Sequence, residues 1–245
     1  MLAETLTDVA SFFGQHPDLH HIGIASFGPL HLSSGTIADT PKLEWQNFPL
    51  LESVERLTST PATIDTDVTA AGLAEYAQAK DGKSLVYVTV GTGIGAAYVS
   101  DGRAISPSRH AEMGHIRVPR TPNDEFAGLC PFHGDCLEGL ASGPAMEARW
   151  SMAPEDLDAD HEAWTLEAHY LGHLCENLVR ILVPEKILFG GGVMQNPHLI
   201  ELTKAKTQEL MGGYQDTQTE IDTAALEPNS GLMGALLIAK SARRV

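Results

Sequence analysis

The sequence predicts an α/β fold, on three observations. Short apolar runs rich in valine and isoleucine alternate with helical stretches along the 245 residues. Two separate glycine-rich turns, Gly91-Thr92-Gly93-Ile94-Gly95 and Gly190-Gly191-Gly192, each follow one of those runs. The run ending at Phe27-Gly28-Pro29 is echoed by the later one ending at Phe189-Gly190-Gly191, as two similar α/β halves would produce.

Taken in order, Leu2, Leu6, Val9 and Phe13 recur at helical spacing and turn one apolar face of a first helix inward. His21-Ile22-Gly23-Ile24-Ala25-Ser26 is a short apolar run that stops at Gly28-Pro29, as a buried strand feeding a loop does. An irregular stretch with Pro41 and Pro49 follows. Residues 62–67 lead into an Ala-rich helix over 68–79, with Thr66 and Asp67 where helices begin. Residues 85–90 are β-rich, 91–95 turn, and 96–99 return as a strand. A long helix over 164–183 sets Leu171, Leu174, Leu178 and Leu182 on or near one face. Residues 186–189 form another buried strand, and 231–242 a glycine-tolerant apolar helix.

Composition narrows the partners. With 32 acidic residues against 16 basic ones, a formal charge of -16, the average surface repels phosphate backbones and anionic head groups, so neither nucleic acid nor membrane is expected. The longest uncharged stretch, 84–100, is interrupted by Gly, Thr and Ser and is short for a membrane span. Glu4 and Asp8 stand where a secretion signal starts basic, so a cytoplasmic protein is expected. The three cysteines cannot build a disulfide framework.

Two of those cysteines carry the strongest chemical signal. His115 is followed, after 14 intervening residues, by Cys130-Pro131-Phe132-His133-Gly134-Asp135-Cys136. Two thiolates and two imidazoles suit tetrahedral zinc, and four protein ligands leave no open position, so the predicted site is structural. Buried thiols beside unrelated histidines are the alternative, and this spacing favours metal. Cys175 lies on the apolar face of the long helix and reads as a core residue.

The remaining signals are weaker one by one. The Gly91-Thr92-Gly93-Ile94-Gly95 turn would let backbone N–H groups approach a polyphosphate, and Gly190-Gly191-Gly192 would suit contact with a flat nucleoside, although an ordinary glycine-rich turn looks the same in both cases. Asp67 sits where a carboxylate is held rigidly at a cleft and where a helix N-terminus keeps it ionised; an ordinary first-turn acid has the same position. Glu112 and Glu138 are each tied by sequence to a predicted zinc ligand, so a formed zinc site would anchor both near one another, able to accept hydrogen bonds from sugar hydroxyls.

These residues together resemble the ROK family, and within it the zinc-containing bacterial fructokinases. The resemblance rests on 23–29, Thr40-Pro41-Lys42, Thr66-Asp67, the 91–95 turn, Glu112-Met113-Gly114-His115, the block from Cys130 to Ala145, and 189–195. It implies a two-domain fold of the actin-like ATPase and sugar-kinase type, with residues 1–80 and 229–245 in a smaller, incomplete domain and 81–228 in a larger one. It implies phosphoryl transfer from magnesium ATP to a hexose, with fructose to fructose 6-phosphate expected. Asp67 matches the catalytic base, and Thr66, Asp67, Glu112, His115 and Glu138 match the sugar contacts. Gly91, Thr92, Gly93 and Gly95 match a phosphate loop; Gly190, Gly191 and Gly192 match an adenosine loop. Structural zinc would be held by His115, Cys130, His133 and Cys136. Family members are usually dimers, and a homodimer is the expected assembly. Two departures stand out: Thr66 replaces the family's frequent Asn, and nothing before Leu2 supplies the opening Gly-Gly-Thr phosphate loop, so impaired kinase activity is expected. A non-catalytic sugar-binding protein of this family, or a truncated gene product, is the alternative.

Overall fold

The predicted apolar runs form strands and the helical stretches form helices in the computed structural model, which describes residues 1–80, 82–105, 110–122, 124–213 and 218–242. The chain opens with α1 (Leu2–Gly14), β1 (Ile22–Ser26), a small hairpin of β2 (Leu30–His31) and β3 (Thr36–Ile37), α2 (Leu50–Thr58), β4 (Ala62–Thr66) and α3 (Asp67–Ala79). It continues through β5 (Ser84–Val90), β6 (Ile94–Ser100), β7 (Arg103–Ala104), α4 (Leu137–Ala141), α5 (Gly143–Trp150), α6 (Ala163–Leu182), β8 (Lys186–Gly190), α7 (Leu199–Met211), β9 (Glu220–Thr223) and α8 (Ser230–Ser241). Asp81, where the larger domain is expected to begin, lies outside the described residues.

The main sheet has five strands in the order β7-β6-β5-β8-β9, with β5 antiparallel to β6 and parallel to β8, and β8 parallel to β9. The two-residue period of β5 sorts its side chains between two cores. Val86, Val88 and Val90 join Leu171, Leu174 and Cys175 of α6, whereas Leu85 and Tyr87 pack with Ala71 of α3. Each such buried aliphatic side chain contributes roughly 1.5–3 kcal/mol, far above helix-propensity differences of a few tenths, so packing on the sheet holds α6 in place. Cys175 is fully buried there, as expected, and burial pushes its thiol up to about 12.

A second, parallel pair joins β1 to β4 in the register Ile22↔Ala62 to Ser26↔Thr66. That register brings the ends of the two strands side by side, so the Phe27-Gly28 turn and Asp67 leave the same edge. Leu2, Val9 and Phe13 of α1 pack on this pair's core, with Leu50 and Val54 of α2 beneath. On the other side α8 presses against backbone. A Cβ on Gly234 would lie 1.9 Å from the Ala70 carbonyl oxygen, and one on Gly23 would lie 1.8 Å from that of Ala235. Buried Glu75 completes the junction by accepting hydrogen bonds from Ala225 N, Leu226 N and Ser230 Oγ.

One boundary differs in a way that matters for the site. Thr89 pairs with Gly95 and Val90 with Ile94, so the return strand starts at Ile94 and not at residue 96. The turn proper is Gly91-Thr92-Gly93, and Gly95 is a strand residue.

Candidate active site and metal centre

The Cys130 segment folds back on itself through paired backbone bonds, Cys130 N to Gly134 O at 3.1 Å and Gly134 N to Cys130 O at 2.8 Å, which bring His133 beside Cys130. Cys136 follows as the N-cap of α4. His115 arrives from a 3-10 turn, Met113–His115, laid against β6: a Cβ on Gly114 would meet the Ile94 carbonyl oxygen at 1.8 Å. The four ligand atoms of His115, Cys130, His133 and Cys136 lie within 4.8 Å of one another. His115 Nδ1 is 3.4 Å from Cys136 Sγ and 3.7 Å from Cys130 Sγ, and His133 Nδ1 is 3.6 Å from Cys130 Sγ. Tetrahedral zinc with ordinary bond lengths separates nitrogen and sulfur ligands by about 3.5 Å, so this donor set fits it. Burial, and after it the neighbouring Cys130, pushes the Cys136 thiol up to about 11; binding a dication supplies the opposite charge that a thiolate pair needs.

The other edge of the His115 ring faces carboxylates. Its Nε2 lies 3.9 Å from Glu112 Oε2 and 3.9 Å from Glu138 Oε1. Glu138 is held further by Ile94 N, which donates to Oε2 at 2.9 Å. The predicted nearness of Glu112, His115 and Glu138 is therefore present in the fold.

The glycine turns also meet. β5 and β8 are parallel neighbours with Thr89 opposite Gly190, so both turns leave the same sheet edge, where ligand crevices form in such sheets. A Cβ on Gly91 would stand 4.0 Å from Gly192 N, and one on Gly93 would stand 2.7 Å from Glu138 Oε2. Gly91 O accepts from Gly143 N, the first residue of α5, at 2.8 Å. Thr92 is exposed at the tip of the turn.

Asp67 opens α3 beside this edge, with Val68 about a van der Waals contact, 3.7 Å, from a Cβ built on Gly95. Thr66 is buried. Its hydroxyl donates to Thr69 Oγ1 at 2.7 Å and accepts from Thr69 N at 3.2 Å, which caps the helix and places Asp67 in its first turn. Asp67 is exposed at the cleft surface, yet the protein around it desolvates the carboxyl and raises its pKa; the Val68 amide, Lys42 and His110 oppose that rise. Both influences act on Asp67 at once: its place in the first turn of α3 favours the carboxylate, and desolvation by the surrounding protein is the larger effect.

Asp65 and His110 escaped the sequence reading as neighbours of the site, and Lys42 entered it only within the family motif. Burial raises the Asp65 pKa. Lys42 Nζ sits 3.5 Å over the Phe27 ring, within the charge field of Asp67. His110 Nε2 lies 2.7 Å from Glu112 Oε1, and that bond raises the His110 pKa. The one available signal was that His110 and Glu112 are two residues apart, a spacing that puts side chains on one side of an extended segment.

Comparison with known proteins agrees with this geometry. The ROK family's sequence model matches residues 1–242. The fructokinase of Zymomonas mobilis subsp. mobilis is 39% identical over 98% of this chain and 85% of its own length. The fructokinase of Pediococcus pentosaceus is 36% identical over 98% of this chain and 86% of its own. The ROK hexokinase from Thermus thermophilus superposes with a TM-score of 0.77 at 28% identity, covering 92% of this chain and 80% of that structure. The fold is accordingly the actin-like ATPase fold of the ROK sugar kinases. Because the match takes in both glycine turns, the Cys/His cluster and the carboxylates beside it, the chain belongs to the ROK family.

Proposed function

We propose that this chain is an ATP-dependent hexose kinase whose preferred acceptor is fructose, phosphorylated at carbon six. The observation that carries the reading is the division of labour within one imidazole. His115 Nδ1 turns to Cys130 and Cys136, and Nε2 turns to Glu112 and Glu138. With zinc on Nδ1 the ring is fixed in the tautomer that carries hydrogen on Nε2, so it donates where the two glutamates accept. Three groups on a rigid frame then recognise adjacent hydroxyls.

The chain's own residues account for the rest of the reaction. Asp67 accepts the hydroxyl proton as that oxygen bonds to the transferred phosphorus and the bond to the leaving nucleoside diphosphate breaks. Its raised pKa makes it a better proton acceptor than an ordinary aspartate. The Gly91-Thr92-Gly93 turn offers backbone N–H groups to phosphate oxygens, with Gly190, Gly191 and Gly192 alongside for the nucleoside. Magnesium, when bound with the nucleotide, neutralises the charge of the transferring group. Fructose as acceptor is supported by the two fructokinases that resemble this chain over nearly its whole length.

The test is fructose-, glucose- and mannose-dependent ADP release, measured beside direct sugar binding by calorimetry. The highest kcat/KM is expected for fructose. A protein that binds none of the three overturns the reading, and one that binds fructose without any sugar-dependent ADP release is a sugar-binding member and not a kinase.

A further inference from the structure

His110 belongs to neither the Cys/His cluster nor the glycine turns, yet it is packed as few histidines at a loop surface are, with its side chain only 11% exposed. Its Nε2 bonds to Oε1 of Glu112 at 2.7 Å, while Oε2 of the same carboxylate is the oxygen that faces His115. Glu112 therefore lies between two imidazoles, one on each oxygen. The side chain of Glu112 is itself 51% exposed, so holding it in a single pose costs rotamer entropy that a charge-assisted bond to a packed ring can offset.

The ring is also held by the end of β1. A Cβ on Gly28 would come within 3.1 Å of His110 Nε2, so the imidazole rests on the turn that follows β1. His110 Nδ1 is buried with no hydrogen bond of full geometry among the described residues, and the Leu30 backbone is the polar group that approaches the ring besides Glu112. Asp65 and Asp67, at the neighbouring end of β4, also lie within its charge field.

We propose that His110 is a positioning residue of the sugar site: braced on the Gly28 turn, it fixes Glu112 so that this carboxylate and Glu138 flank the His115 ring together. The proposal rests on the hexose-kinase reading and adds to it a residue that acts through Glu112 and not on the transferred phosphoryl group. Losing His110 is therefore felt in sugar affinity more than in turnover, because Asp67 and the glycine turns keep their places and His110 is the smallest of the influences acting on the Asp67 carboxyl.

The test compares wild type with His110→Ala, His110→Gln, Glu112→Gln and the Ala/Gln double variant, by calorimetric binding of fructose, glucose and mannose and by steady-state kinetics. His110→Ala should weaken fructose binding roughly tenfold, with turnover at saturating sugar falling less than about threefold. His110→Gln, which keeps an N–H donor near the same place, should recover much of that loss. The double variant should bind no worse than Glu112→Gln alone, since the two residues act as one unit. Metal content and melting temperature report whether each variant is folded. An active wild type whose affinity is unchanged in His110→Ala overturns the proposal alone, and so does full additivity in the double variant. A wild type that neither binds nor phosphorylates any of the three hexoses overturns the kinase reading, and this proposal with it.

Discussion

The amide of Ile94 donates to Glu138 Oε2 at 2.9 Å, and through this bond one carboxylate joins the metal block to the glycine turn. The other oxygen of Glu138 faces His115, and Gly93 has no side chain to stand between. The glycine turn and the proposed sugar contacts are therefore mechanically one unit. Glu138→Gln keeps an acceptor for Ile94 but gives up the negative charge that grips a sugar hydroxyl. Fructose affinity should fall by about tenfold or more with metal content unchanged, which calorimetry and metal analysis check together.

The Cys/His cluster predicts one equivalent of zinc per chain. Its ligands come from the turn before Ile116, the Cys130 hairpin and the N-cap of α4, so removing the metal releases all three from one another. Chelation should lower the melting temperature by at least about 5 °C and weaken sugar binding at the same time, because His115 is a member of both proposed sites. Metal content below about half an equivalent, with melting indifferent to chelator, would show that the thiols are merely buried.

Asp67→Asn should lower turnover by at least about a hundredfold and leave fructose affinity nearly intact, since the lost group acts on the moving proton. In wild type the same carboxyl should set the acid limb of the turnover profile, at a pH above the ordinary aspartate value of 3.8 because burial raises it. Turnover should fall as pH drops through that limb. Near-normal turnover of the Asn variant would reduce Asp67 to a first-turn helix acid.

Glu167 supplies a stability prediction separate from the site. It is buried on α6, its Oε1 has no hydrogen-bond partner among the described residues, and burial holds its pKa well above 4.5, with Arg149 pulling the other way. A folded pKa above the unfolded one means a stabilising contribution that is complete below about 4.5 and is lost as pH rises through the folded value. Glu167→Gln keeps the shape and stays neutral. Its melting temperature should exceed that of wild type at about pH 9 and approach it at about pH 5. Equal melting curves at both values would place Glu167 in water or in a compensated pair.

What the sequence determined by itself was whatever depends on residue type and local spacing. Thiolates and imidazoles at the right intervals marked His115, Cys130, His133 and Cys136, and a β-rich apolar run marked Leu85 to Val90 as a strand. Glycines after strands marked both turns, although the hairpin register, set by Thr89 facing Gly95, shortened the first one. Tertiary structure decided everything that depends on which parts of the chain become neighbours. The parallel pairings β1–β4 and β5–β8 bring the Gly28 turn to Asp67 and Gly91 to Gly192, and no local signal encodes a parallel partner. Packing also decided that His110 braces Glu112 and that Asp67 has a raised pKa. The Thr66 cap is a contact three residues long, to which the helix-start signal already pointed; the bracing of His110 and the desolvation of Asp67 are properties of a neighbourhood, and Gly28, Lys42, Asp67 and His110 are far apart along the chain.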